Sequence, residues 1–244
     1  MVGKYDTIET MHGWNKGLTK DTHPSLAKTS KTMRDKKIDN FSKWRERMKK
    51  EGKIKSDYLP LPHSKYLAEL IGVTLGDGHI EKFPRTERLV IAANSNNHGF
   101  IKRYATLMEM IFSKRPKLMK SRAVNCLRIS IYEKLISERL GIPTGKRRYV
   151  LNKVPQWILD NHEFMVAFLR GLYEAEGSFC VHKPTSTYKM LFSNRNDSLL
   201  SIVYDLVSSL GFKVNRSSFK VQVSKKEHVL RLKDLIAFRN YAKL

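Results

Sequence analysis

Ten residues of this chain occur twice. Leu70-Ile71-Gly72-Val73-Thr74-Leu75-Gly76-Asp77-Gly78-His79 aligns with Leu169-Arg170-Gly171-Leu172-Tyr173-Glu174-Ala175-Glu176-Gly177-Ser178. Each copy is mostly apolar, carries a glycine at its third position and ends in an acid followed by glycine. The two acids lie 176 − 77 = 99 positions apart, so the repeated unit is about half a small domain. A chain of 244 residues therefore has room for one domain of two similar halves and an appendage. Two carboxylates placed alike by a duplication, in a chain of net charge +23, point to a metal site facing a polyanion.

The charge is not confined to one end. Residues 1–58 hold 15 basic and 8 acidic residues, leaving +23 − 7 = +16 for the rest. A folded body this basic expects nucleic acid or an anionic membrane surface. No apolar run approaches the ~20 residues of a membrane span, and no amphipathic anchor is evident, which disfavours the membrane. The start, Met1-Val2-Gly3-Lys4-Tyr5-Asp6, has no signal-peptide pattern, so an intracellular site is expected: cytoplasm, nucleoid or organelle matrix. Cys126 and Cys180 form neither a zinc spacing nor a disulfide framework.

Residues 1–58 are lysine-rich, poor in aliphatic residues and closed by Pro60 and Pro62. They lack the apolar content for a core of their own and read as a basic DNA-contacting extension or a disordered leader, with some helix around 41–50. Beyond them, 59–150 and 151–244 follow one order. Ser64 can cap a helix through Leu67, Leu70 and Ile71; Asp160 and Glu163 stand in capping-box spacing before a second helix through Phe164, Phe168, Leu169 and Leu172. Gly78 and Gly177 are expected to end these helices. The period then changes to two. Strands are predicted at 79–81 and 88–93 in the first half, and at 178–182 and 188–193 in the second, each pair leading to an asparagine, Asn94 or Asn194. Helices follow over 100–112 and 199–210, then further strands including 127–132 and 219–224, then helices over 133–140 and 226–236. The order αββαββα, twice, gives an α+β class with antiparallel sheets.

The two motifs, their separation and the matching order after each resemble the LAGLIDADG homing endonucleases in their single-chain, two-motif form, over residues 64–244. Gly13-Trp14-Asn15-Lys16-Gly17-Leu18-Thr19-Lys20 resembles the short DNA-binding motif called NUMOD3. The main resemblance implies a monomer of pseudo-twofold symmetry, with the motif helices packed at its centre and two saddle-shaped sheets straddling the DNA major groove. It implies cutting of both strands of a long, partly symmetric site with a divalent metal. Magnesium is the expected cofactor, with Mn2+ or Ca2+ able to substitute for binding. Asp77 and Glu176 match the family's metal-binding acids, and the carbonyls of Gly76 and Ala175 match supporting ligands. Family members place basic or amide side chains around these acids; the candidates here are Lys146, Arg195, Asn94 and Asn194, with Lys243 as a second-half counterpart of Lys146. A plain phosphate contact is equally open to each.

The chemistry agrees with these residue types. Phosphodiester hydrolysis adds charge to a phosphate already charged, and metal ions offset that charge and lower the pKa of an attacking water. Magnesium favours carboxylate and phosphate oxygens and keeps several waters, so two acids leave room for DNA phosphates. An acid at a helix C-terminus meets the negative end of the dipole, and two side by side repel; a cation reverses both effects. Gly72 and Gly171, five residues before each acid, suit a close approach of two helix backbones. His79 has no partner in the second motif, where Ser178 stands, and reads as a polar strand residue rather than a general base.

Alternation sorts the strand faces. Leu127, Ile129 and Ile131 should point inward, leaving Arg128, Ser130 and Tyr132 outward; Phe219, Val221 and Val223 should point inward, leaving Lys220, Gln222 and Ser224 outward. Such a ribbon can enter the major groove, where Arg and Lys suit guanine and Gln suits adenine. Lys120, Arg122, His182, Lys189 and Arg216 are further outward candidates. The expected partner is double-stranded DNA. Intron RNA is the partner of a maturase alternative, and a second alternative binds DNA without cutting. An intein is disfavoured, since the chain begins with Met1 and ends with Leu244 rather than with Cys or Ser and with Asn.

Overall fold

The computed structural model describes residues 15–55, 57–120 and 124–241. The chain divides into two units, Met1–Asp57 and Tyr58–Leu244. The first holds two helices, α1 (Pro24–Asp35) and α2 (Ser42–Lys50), neither of which buries a residue. That follows from composition: Ser42-Lys43-Trp44-Arg45-Glu46-Arg47-Met48-Lys49-Lys50 has too few apolar side chains to make a core.

The second unit is built from helix α3 (Lys65–Gly76), strands β1 (Gly78–Phe83) and β2 (Thr86–Asn94), helix α4 (His98–Phe112), strands β3 (Lys117–Lys120) and β4 (Cys126–Glu133), and helix α5 (Ile136–Leu140). A short α6 (Gln156–Leu159) leads into the second copy: α7 (His162–Glu176), β5 (Gly177–His182), β6 (Thr187–Ser193), α8 (Asp197–Ser209), β7 (Val214–Ser217), β8 (Lys220–Val223) and α9 (Lys226–Leu235). The order αββαββα stands twice, in an α+β fold. Each half has a four-stranded antiparallel sheet, ordered β1-β2-β4-β3 and β5-β6-β8-β7. Helix α5, the last of the first half, is shorter than the sequence predicts, because Glu133 remains in β4 and pairs with Glu87 of β2.

The motif helices form the centre. Eight consecutive residues of α3, Leu67 to Thr74, are buried, as for a helix enclosed on all sides. Its partner is α7, and the glycines set their approach. A Cβ on Gly72 would collide with the Phe168 carbonyl, and one on Gly171 with the Glu69 carbonyl and, at 2.6 Å, the Val73 nitrogen. The atoms in the way are backbone and cannot rotate aside. One turn on, a Cβ on Gly76 would strike that of Ala175, so small residues spaced by four on both helices carry the crossing to its acidic end. The buried charge of Glu69 is met by Arg103, through two hydrogen bonds of 2.6 Å, and by Arg170 of the second motif at 3.4 Å. An ion pair this well enclosed needs such multiple partners to offset desolvation.

The helix boundaries bring two corrections. Ser64 caps α3, accepting from the Leu67 amide at 3.2 Å. The second motif helix is capped instead by Asn161, which accepts from the Phe164 amide at 3.1 Å; Asp160 terminates α6 and accepts from Gln156, and Glu163 pairs with Lys65 at 2.8 Å. The unforeseen α6 uses up the residue that the capping box required. Gly78 and Gly177 do not adopt left-handed caps either. Gly177 has φ −87° and ψ 152°, and both glycines open strands. They are needed for space: a Cβ on Gly78 would lie 2.7 Å from the Thr74 carbonyl oxygen, and one on Gly177 would collide with that of Tyr173. Glycine thus lets each chain turn from helix straight into strand beside its acid.

The core runs through both halves, and no described helix is long and apolar enough to cross a membrane.

Candidate active site

Asp77 and Glu176 each end a motif helix, and the crossing brings those ends together. A Cβ on Gly76 would sit 3.3 Å from the Glu176 Cγ, which puts the Glu176 side chain against the residue preceding Asp77. Although the Asp77 side chain reaches solvent, the protein around its carboxyl removes water, and the Glu176 charge adds to this, pushing its pKa up to about 7. Burial raises Glu176 too, opposed by a 3.1 Å hydrogen bond from Asn194 Nδ2 to Oε1. The last carbonyls of α3 and α7, Gly76 and Ala175 among them, have no following helical turn to donate to them. Two crowded carboxylates, with the carbonyl oxygens of the helix ends beside them, offer a donor set for a hard cation with oxygen ligands. Among the described residues no three of His, Cys, Asp and Glu cluster, which a structural zinc site would require.

Basic and amide side chains surround the acids. A cleft of about 710 Å³ opens at Glu176, lined by Arg148, Ser193, Asn194, Arg195, Asn196 and Phe219. A neighbouring cavity of about 230 Å³ is lined by Gly76, Gly78, His79, Lys146, Arg147 and Arg148 together with Asn194 and Asn196. The fold therefore brings Lys146, Asn194 and Arg195 to the acids. Asn94 lines neither cavity; its Oδ1 accepts from the Asn96 amide at 2.9 Å. Lys243 lies outside the described residues.

Arg147, which sequence reasoning passed over for Lys146, is the more firmly held of the two. Its Nη2 donates to the carbonyls of Thr74, at 2.7 Å, and Gly78, at 2.6 Å, on either side of Asp77. Burial lowers its pKa, and its Nη1 is buried without a hydrogen-bond partner among the described residues. An unmet donor of this kind is uncommon in a stable interior and calls for a functional explanation. Only its place in the run Lys146-Arg147-Arg148 marked it in the sequence.

Register sorts the residues chosen for DNA contact. Arg128 and Tyr132 share the open face of the first sheet, where Arg88 donates to the Tyr132 hydroxyl at 3.2 Å and pairs with Glu81. Ser130 is on that face but buried, its short side chain donating to the Lys117 carbonyl of the adjoining strand at 3.3 Å, so the expectation that it stands outward fails. Lys120 pairs with Leu127 and falls on the opposite side, whereas Lys117 pairs with Ser130 on the open face and was missed. Arg122 lies outside the described residues. In the second sheet His182, Lys189, Lys220, Gln222 and Ser224 share one face, with Gln222 donating to Ser224. Arg216 pairs with Val221, which is buried, and turns to Asp197 and Ser201 of α8, so it is corrected to the helical side. Phe219 is corrected as well: it precedes β8, stands 65% exposed and forms part of the cleft at Glu176.

Residues 163–241 match the family described as a LAGLIDADG-like domain. No curated protein matches the chain. Among solved structures, mesophilic variants of the homing endonuclease I-DmoI align with a TM-score of 0.51 at 21% identity, covering 70% of this chain and 94% of theirs. The complex of I-DmoI with DNA and Mn aligns with a TM-score of 0.51 at 21% identity, covering 70% of this chain and 96% of that one. At such identity the likeness is one of fold, and function has to be argued from the site.

Proposed function

We propose that this chain, a member of the LAGLIDADG family, is a site-specific DNA endonuclease that hydrolyses both strands of its target with divalent metal. The observation that carries the reading is the meeting of Asp77 and Glu176 at the ends of two crossed helices, with each carboxyl held above its ordinary pKa. Two acids confined together are costly for a protein to keep unless a cation joins them. Magnesium, held by Asp77 and Glu176 with the carbonyls of Gly76 and Ala175, would offset phosphate charge and lower the pKa of an attacking water.

The chain's own residues supply the remainder. Asn194 orients Glu176 through its 3.1 Å hydrogen bond. Lys146, Arg148 and Arg195, in the cavities beside the acids, offer charge to the phosphates on either side of the cut. Arg128 and Tyr132 on one sheet, and His182, Lys189, Lys220, Gln222 and Ser224 on the other, offer groups for reading base edges and phosphates. We further propose that the enzyme acts as a monomer, since one chain contains both acids, and that residues 1–58 add DNA contacts.

Incubation of the full chain with a randomised DNA library and Mg2+ tests the proposal and returns the target. Recovery of one family of cut sites is the expected result. Binding of a defined site with both strands left intact would replace the nuclease by a DNA-binding protein, and rescue of intron splicing without cutting would replace it by a maturase.

A second prediction concerns stability. An unfolded Asp77 titrates in the ordinary carboxylate range, and the folded one at about 7. The folded state thus binds the extra proton between these values, and stability falls as pH rises through that window. Asp77→Asn removes the penalty. In metal-free buffer its Tm should exceed that of the parent at pH 8 and equal it below pH 4. Mg2+ should raise the Tm of the parent more than that of the variant. Equal Tm values at pH 8 would refute the electrostatic account.

A further inference from the structure

The segment joining the repeats, residues 141–155, belongs to neither sheet, yet it reaches both acids. Arg147 grips the carbonyls of Thr74 and Gly78, so its guanidinium spans the turn on which Asp77 stands. Its own carbonyl accepts a 2.9 Å hydrogen bond from Asn196 Nδ2, which also donates to the Val150 carbonyl at 2.9 Å. The backbone N–H of Asn196 donates to Asn194 Oδ1 at 2.8 Å, and Asn194 Nδ2 donates to Glu176. A continuous line of hydrogen bonds therefore passes from the turn at Asp77, through Arg147, Asn196 and Asn194, to the carboxylate of Glu176.

Asn196 is fitted to this place. Its side chain is buried, and both faces of the amide are in use: Nδ2 serves two carbonyls, while Oδ1 accepts from Ser198 Oγ at 2.7 Å and from the Leu199 amide at 3.1 Å. Reversing the amide would set its oxygen against two carbonyl oxygens, so its orientation is fixed. The equivalent cap 99 positions earlier, Asn97, accepts from the Phe100 amide at 3.3 Å and bonds to Tyr241 rather than to the connector. The bridge exists on one side of the pseudo-symmetric pair.

We propose that Arg147 and Asn196 are positioning residues that fix the separation of the Asp77 and Glu176 carboxylates, a role that deepens the nuclease reading above and rests on it. The physical need is clear. Helix crossing alone sets the backbones, but a shared cation demands that two carboxylates be held within about 0.5 Å of their working geometry. Arg147 fixes one turn, Asn196 fixes Arg147, and the same Asn196 fixes the residue that orients Glu176.

The test uses Arg147→Lys and Asn196→Asp in the full chain. The first retains charge but loses the fork that spans two carbonyls; the second keeps the shape and loses two donors. Single-turnover cleavage should fall about 10–100-fold, and half-saturating Mg2+ and Mn2+ should rise by about 10-fold, as when the partners of metal ligands are removed. Affinity for the selected target in Ca2+ should stay within about 2-fold, because neither residue gives a side chain to the open sheet faces. The double variant should lose no more than the worse single one, since both act along one line. Unchanged metal half-saturation, or a rate loss that only follows the folded fraction, would overturn the proposal; either variant that folds decides it. Mn2+ binding to the protein without DNA, read by electron paramagnetic resonance, separates the two readings. A parent chain that binds Mn2+ but cuts no DNA sinks the nuclease and leaves the positioning role open to the variants' Mn2+ affinities. A parent chain that neither binds Mn2+ nor cuts DNA sinks both.

Discussion

Asp77→Asn and Glu176→Gln should each lower double-strand cleavage by a factor on the order of 10³ while DNA binding is kept. Both changes are isosteric, and both acids stand at the ends of helices whose crossing is set by glycines rather than by carboxylates, so the fold survives. On the proposed mechanism, what is lost is the anionic oxygen set that would attract a cation to the scissile phosphate. A preorganised charge-stabilising group is worth about 10²–10³ in rate, and under the proposal these acids would also hold the metal, so the upper end is expected. Affinity should hold or improve. Each variant removes a negative charge from a site that must accept phosphate, and the basic surface that supplies most of the attraction is untouched. The measurement pairs a gel-shift titration in Ca2+ with single-turnover cleavage in Mg2+ on the library-selected site. Full cutting by either variant would dismiss the two-acid mechanism. A variant that nicks one strand at the parent rate would show that the acids work independently rather than as a shared pair.

The two acids were visible in the sequence because duplication leaves a mark that does not depend on knowing the fold. The same holds for the sheets: apolar alternation in Leu127-Arg128-Ile129-Ser130-Ile131-Tyr132 gives the core face correctly, with Ile129 and Ile131 buried. Alternation does not report how a face is covered. Ser130 is short enough to stay down against the Lys117 carbonyl of the next strand, and Arg216 is drawn off by Asp197 on a helix 19 positions earlier in the chain. The central helices were legible from their glycines, but the second N-cap was not, since α6 is a single turn that no period can reveal. Least legible was the connector. Gly145-Lys146-Arg147-Arg148 looks like a basic run, and nothing local says that the middle residue would bury its guanidinium beside Asp77 while its neighbours reach solvent. Long-range hydrogen bonds, 73 and 49 positions apart for Arg147, leave no periodic trace.

The second large effect is expected at Gly171, and there the intuition from helix propensity has the wrong sign. Replacing a mid-helix glycine by alanine ordinarily stabilises a helix by up to ~1 kcal/mol. Gly171 lies where α7 crosses α3, and a methyl group there meets the Glu69 carbonyl and stands 2.6 Å from the Val73 nitrogen. Neither atom can yield unless the two helices part, and parting them opens the core that both halves share and moves the ends that carry Asp77 and Glu176. Overpacking against rigid backbone costs roughly 3 kcal/mol or more, against which the propensity gain is small. For a unit of this size that corresponds to a Tm lower by roughly 6–12 °C. Gly211→Ala is the control. Gly211 has φ +81° with open space about its Cα, so its cost is conformational alone, about 1 kcal/mol. Cleavage by Gly171→Ala should fall further than its folded fraction explains, because the surviving molecules hold their acids farther apart. A Gly171→Ala protein as stable as the parent, or more stable, would mean that the helices do not cross as closely as their backbones are placed, and the proposed metal site would lose its structural basis.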